Sequence, residues 1–247
     1  MNASLQLVRL LQLASPALPV GAYTYSQGLE WAVESGVIRD ETSASRWIAD
    51  LMQHGIGRYE APLVATLMQA WGAALASTPH EVDGWLQGHP GRLPHEEIAT
   101  LNAEFLASRE SAELRAETAQ MGFSLNRLVR DLRDPSLSSV ESTLASLGEI
   151  AFPTAWAGIA ASWQIDIEAA LTAYLWSWAE NQVMAALKAV PLGQASGQRL
   201  LAELGGKIPA VARDALKLPE SAWSNFTPAF AIACARHETQ YSRLFRS

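Results

Sequence analysis

Charge is scarce in this chain. Only 17% of its 247 residues are Asp, Glu, Lys or Arg, while 49% are hydrophobic. A chain that poor in charge and rich in apolar side chains is globular and not disordered. It also has too few polar side chains to clothe every helix, which points to an obligate partner or oligomer. Cysteine is nearly absent. Cys234 stands alone, so no internal disulfide forms, and the cytoplasm is the expected compartment. Basic residues are outnumbered 18 to 25, for a net charge of −7. That argues against wholesale nucleic-acid binding, which needs a basic face for phosphates. No run of ~20 apolar residues is present, the length a membrane span requires. The most apolar stretch, IAFPTAWAGIAASWQI from Ile150 to Ile165, is too short and carries Pro153; it reads as a buried core helix.

The usual catalytic patterns are missing too. No GxxxxGK[ST] loop exists; Leu204-Gly205-Gly206-Lys207 lacks the upstream Gly and the hydroxyl, and reads as a helix stop. Gly55-Ile56-Gly57 lacks the third glycine and a preceding strand. None of the five histidines pairs at i, i+4, so no zinc-protease motif forms. There is no GxSxG elbow, and Cys234 sits among alanines and Ile232 as a small buried thiol, not a nucleophile. No metal site, cofactor site or catalytic residue is therefore expected.

Helical periodicity fills what remains. Leu7, Leu10, Leu11 and Ala14 form one stripe, stopped by Ser15-Pro16. The N-terminus lacks a basic leader, and its pattern is that of a mature amphipathic helix. Ser26 caps a second helix that Gly36 ends, and Asp40 or Thr42 starts a third. The stretch from Tyr59 to Ala76 reads as a fourth. The segment from Ser77 to Pro94, with three prolines and three glycines, is expected as a long mobile loop holding a short helix near 81–87. Helices follow over 94–132, after Ser138, over 150–163, from Asp166 to Val190, over 194–204, over 210–216 and over 227–237. No alternating strand and no Asn-Gly or Asp-Gly hairpin signal is present. The expectation is all-α: one domain spanning 1–247, a bundle of about ten helices.

Three features invite a functional reading. Glu104, Arg109, Glu110, Glu113, Arg115 and Glu117 form a mixed-charge stretch, with Glu113 and Glu117 on one helical face. A solvated helix face is the ordinary reading; a divalent ion or a basic partner is the alternative. Lys188 precedes Pro191 in the last turn of its helix. It serves there either as a cation on the helix C-terminus or as a partner contact. The segment RHETQYSRLFRS, Arg236 to Ser247, sets three arginines among Tyr241, Leu244 and Phe245. A frayed terminus is usually small and polar, whereas Arg and aromatics are interface anchors, so docking is the favoured reading.

Together, LLQLASPALPVGAYTYSQGLEWAVESG near the start, ALKAVPLGQ in the second half and RHETQYSRLFRS at the end resemble the UreF family of urease accessory proteins. RESAELRAE fits the same pattern. The resemblance implies an all-helical, non-catalytic, cytoplasmic protein. It implies a homodimer that binds the accessory protein UreD (also called UreH), recruits and modulates the GTPase UreG, and helps deliver nickel to apo-urease. It places Tyr23, Glu30 and Lys188 on the GTPase side, with Tyr25 as the competing tyrosine. It places Arg236, His237, Glu238, Tyr241, Arg243, Leu244, Phe245 and Arg246 on the UreD/UreH side. The competing reading is a helical enzyme or small-molecule binder whose site in the core is lined by tryptophans and by Glu104–Glu117.

Overall fold

The computed structural model describes residues 2–76 and 79–247, and among them every regular element is helical. In chain order the α-helices are α1 (Ala3–Leu13), α2 (Leu29–Glu34), α3 (Glu41–His54), α4 (Glu60–Ala74), α5 (Pro79–Gly88), α6 (Pro94–Ala107), α7 (Ala112–Leu132), α8 (Ser138–Ser146), α9 (Phe152–Ser162), α10 (Ile167–Ala189), α11 (Gln194–Lys217) and α12 (Pro228–His237). The all-α expectation holds. Asp40 caps α3 in a reciprocal box, its carboxylate accepting the Ser43 N–H at 2.8 Å. Asp166 accepts the Ala169 N–H at 3.0 Å at the start of α10.

Several boundaries differ from the sequence reading. The second helix starts at Leu29 with Gly28, not Ser26, at its N-cap, and the stretch 94–132 breaks into α6 and α7 between Ala107 and Ala112. The segment 77–94 holds a ten-residue helix, α5, although Ser77 and Thr78 lie outside the described residues. Trp85 Nε1–H donates to the Arg92 carbonyl at 2.7 Å, and His89 stacks on Trp85 with centroids 3.7 Å apart. These contacts let the Gly- and Pro-bearing stretch hold helical form. At Gly205-Gly206 the expected stop does not occur, and α11 runs through to Lys217 with Pro209 inside it. Leu200, Leu204, Ile208, Ala212 and Ala215 keep one buried face across the glycines. A Cβ on Gly205 would lie 3.3 Å from the Trp176 ring. Packing, not helix termination, accounts for that glycine.

The described residues group into two compact units. The first comprises 1–20, 63–108 and 118–171. Its centre is α9, whose Ala155, Trp156, Ala157, Gly158, Ile159 and Ala160 are all buried. The small residues let neighbours close in: a Cβ on Gly158 would sit 2.9 Å from Trp71 and 3.1 Å from Val140. Trp71 Nε1–H then reaches the Thr154 carbonyl at 3.1 Å. The entry to α9 is clamped by Asn102, which donates to the Glu149 carbonyl at 2.8 Å and accepts the Ala151 N–H at 2.9 Å.

The second unit comprises 21–62, 109–117 and 172–247. Here α3 packs on α11 and α12 packs on α2. The α2–α12 approach depends on Gly28, which has φ +74°, and whose absent Cβ would lie 3.0 Å from the Cys234 N and 3.1 Å from Ala233. No helix among the described residues is long and apolar enough to cross a membrane.

Candidate functional site

The opening motif and the C-terminal segment meet in the second unit. The turn 21–28 runs through left-handed backbone at Gly21, Gln27 and Gly28. A non-glycine at φ +52° is unfavourable, and Gln27 is held there by its side chain. Its Oε1 accepts Trp178 Nε1–H at 2.8 Å and Gln182 Nε2–H at 3.3 Å, which fixes the amide orientation. Its Nε2 then donates to Glu117 Oε1 at 2.8 Å. Beside it, Ser26 grips the end of the chain: its N–H and its hydroxyl each reach the Ser247 main-chain oxygen at 2.6 Å. Ser26 Oγ also accepts the Glu30 N–H at 3.3 Å.

Three carboxylates hold the tail against this turn. Glu30 Oε1 accepts the Leu244 N–H at 2.6 Å and its Oε2 accepts the Phe245 N–H at 3.1 Å. Glu113 pairs with Arg243 through Oε1 and meets His237 Nδ1 at 2.7 Å through Oε2. Glu117 Oε2 accepts the Ser247 hydroxyl at 2.8 Å. Glu117 is only 5% exposed, and burial pushes its carboxyl up to about 7. The solvated-face reading of the 104–117 stretch holds for Glu104 and Arg115, which are exposed, and is corrected for Glu113 and Glu117. Glu113 and Glu117 point inward because the tail supplies Arg243 and Ser247 as partners. No cluster of three or more His, Cys, Asp or Glu side chains arranged to hold a metal occurs among the described residues.

The expected contact residues divide sharply by exposure. His237 is fully buried and Phe245 is buried. Arg236, Glu238, Arg243 and Arg246 are exposed, Tyr241 wholly so, and Leu244 is 71% exposed. Glu30, expected to face the GTPase, is buried, with its carboxylate taken up by the tail. Lys188 is exposed and its Nζ lies 5.4 Å over the Phe245 ring. Tyr23 is half-buried, its phenol raised by burial and by the Glu180 charge, whereas Tyr25 is buried and its carbonyl accepts Asn181 Nδ2–H at 3.3 Å. Two sets assigned to different partners thus share one structure: Glu30 and Lys188 touch the segment that carries Leu244 and Phe245.

A family model described as UreF matches residues 38–205. Urease accessory protein UreF of Dechloromonas aromatica is 72% identical over 247 residues, covering the whole of both chains. The chain belongs to the UreF family. The UreF protein of an Azoarcus species is 57% identical over 244 residues, covering 98% of this chain and 96% of its own. That of Methylobacillus flagellatus is 47% identical over 248 residues, covering both chains in full. The turn at 21–30 and the tail lie outside the span of the family model but inside these full-length matches. A UreF-family chain is an accessory protein of urease maturation.

A second buried cluster lies in the same unit. The Tyr174 hydroxyl donates to Glu60 Oε1, and Arg109 Nη1 stands 3.6 Å from Glu60 Oε2. Burial raises the Glu60 carboxyl, with the Arg109 charge opposing it. The cavity beside it, bounded by Glu60, Arg109, Glu110 and Trp178, has a volume near 30 Å³. That is room for about one water, far short of the ~300 Å³ at which ligand pockets begin.

The clamp residues Ser26, Gln27, Glu113, Glu117 and Ser247 escape a reading by motif. Ser26 looks like a helix cap, and Gln27 carries no signal at all. The i, i+4 placement of Glu113 and Glu117 is the one clue available in sequence.

Proposed function

We propose that this chain is a non-catalytic scaffold in urease maturation. It binds UreD/UreH through the tail, recruits and modulates the GTPase UreG on the side carrying Tyr23 and Lys188, and helps deliver nickel to apo-urease in the cytoplasm. The observation that carries the reading is the posture of the tail. Glu30 and Ser26 fix its backbone and Glu113 and Glu117 take its Arg243 and Ser247 side chains, yet Tyr241 and Leu244 are left in solvent. Large apolar side chains held outward on a clamped backbone are pre-organised interface anchors. Glu30 serves the surface indirectly, by holding Leu244 and Phe245 in place. The face of α1 bearing exposed Leu7, Val8 and Leu11 supports a homodimer in the complex, since a monomer rarely leaves such a patch uncovered. The small cavity beside Glu60 gives the competing enzyme or small-molecule reading no site there.

The test is size-exclusion chromatography with light scattering on this chain, mixed with UreD/UreH and then with UreG and nucleotide. The expected outcome is a complex holding two copies of each protein. Tyr241→Ala with Leu244→Ala should abolish co-elution with UreD/UreH while helicity is unchanged. Full co-elution of that double variant refutes the tail as the docking surface.

A further inference from the structure

The charged residues of α10 are Glu168 near its start, Lys188 in its last turn, and Glu180 between them. From Ala169 to Leu187 no residue of the helix is fully exposed. Trp176, Glu180, Met184 and Leu187 recur at helical spacing along one half-buried face. Two glycines let α11 close on the same face: a Cβ on Gly205 would lie 3.3 Å from Trp176, and one on Gly197 would lie 2.7 Å from Leu187. Glu180 therefore stands alone as a charge in a largely apolar strip.

A carboxylate withdrawn from water is ordinarily paired, because desolvation disfavours its charged form. Glu180 makes no hydrogen bond and no ion pair among the described residues. Burial raises its carboxyl, and no cation opposes the rise. The group that senses it is Tyr23, whose phenol is raised by burial and then by the Glu180 charge. The Tyr23 hydroxyl likewise makes no hydrogen bond among the described residues. A carboxylate and a phenol thus lie near one another with their hydrogen-bonding capacity unmet. The missing complement is a cation, and the pair selects its kind. A guanidinium gives two N–H groups to one carboxylate and stacks on an aromatic ring, whereas an ammonium offers only a point charge.

We propose that Tyr23 and Glu180 form a receiving site for an arginine side chain of the partner that covers α10. Lys188 sets the register. It lies eight residues beyond Glu180, ~12 Å along the helix, so the same partner presents an anion about that far from its arginine. Identifying the partner as UreG rests on the function proposed above; the arginine site itself does not.

The experiment uses the full-length chain. Glu180→Gln removes the charge at nearly constant shape. Since nothing in the fold pairs with that charge, the urea midpoint of the variant at neutral pH should equal or exceed that of the wild type. A lower midpoint would show that Glu180 braces the fold, and would overturn the site. N-acetyl-arginine amide, added at constant ionic strength, should shift the NMR signals of the Tyr23 ring. N-acetyl-lysine amide should shift them less, and Glu180→Gln should abolish the difference. Equal shifts from the two amides, or none, overturn the site. With UreD/UreH present, UreG affinity should fall about tenfold in Glu180→Gln and further in Glu180→Arg, with UreD/UreH binding unchanged. Loss of UreG recruitment in Lys188→Ala but in neither Glu180 variant overturns the site and leaves the function standing. Failure of UreG to bind a wild-type chain that takes up the arginine amide overturns the function and leaves the site standing.

Discussion

Glu117→Gln isolates the buried carboxyl that anchors the end of the tail. The carboxyl sits at about 7 in the folded chain against an ordinary 4.5. Its folded value is raised, so its contribution to stability is fully present below pH 4.5 and is lost as pH climbs toward 7. Across that window the unfolded chain ionises while the folded one is still protonated. Each pK unit is worth ~1.4 kcal/mol, so the loss is of the order of 3 kcal/mol. Gln is a close mimic of the neutral acid. Its carbonyl accepts from Gln27 Nε2, whose direction Trp178 and Gln182 have already fixed. Its amide donates to the Ser247 hydroxyl.

The assay is urea denaturation of both proteins at intervals from pH 4 to 8.5, read as their difference so that other titrating groups cancel. The two should match near pH 4, diverge through pH 5 and 6, and run parallel above 7.5 with the variant ahead by about 3 kcal/mol. A difference that stays constant across the range would show that Glu117 ionises normally when folded, and the account of burial at the tail anchor would fail.

Other substitutions probe the parts separately. Gly122→Ala drives a Cβ to within 2.0 Å of the Ile150 carbonyl oxygen, backbone that has no rotamer to yield. A loss of about 3 kcal/mol or more is expected in denaturant titration, and a loss under about 0.5 kcal/mol would contradict the packing. Tyr174→Phe strips a donor from the buried Glu60 carboxyl, at a cost of about 2 kcal/mol, and a neutral result by the same titration would mean the Glu60–Arg109 pair suffices without the hydroxyl. Lys188→Ala removes an exposed cation from the Phe245 face, worth only ~0.5–1 kcal/mol to the fold. UreG recruitment in pull-down should nevertheless fall severely, and undiminished recruitment removes Lys188 from the contact surface.

Helix existence is legible in this sequence because apolar periodicity and caps are local. Asp40, Asp166 and the stripe Ile48, Met52 declare themselves within a few residues. The errors fall where a tertiary contact overrides a local rule. Gly205 and Gly206 carry a stop signal worth about 1 kcal/mol each against helix. The buried face running from Leu200 to Ala215 outweighs it, and Gly205 turns out to be shaped by Trp176. In 77–94 the turn formers are real, but Trp85 closes on Arg92 and carries a helix through them.

The site was legible only as pieces, because its chemistry is spread over distances no spacing rule can see. Glu30 meets Leu244 across 214 positions, and Glu117 meets Ser247 across 130. A glutamate at either place looks like any surface acid until its partner is brought up. Burial also inverts what such residues do. A carboxylate read as a partner-facing charge, Glu30, becomes an internal brace for the tail backbone. That division explains why an acidic, apolar chain carries so basic a terminus. Arg243 pairs with Glu113, and His237 is buried between Glu113 and Glu30. Arg236 and Arg246 lie exposed with Tyr241 and Leu244, and under the function proposed for the tail they would meet a surface of opposite charge.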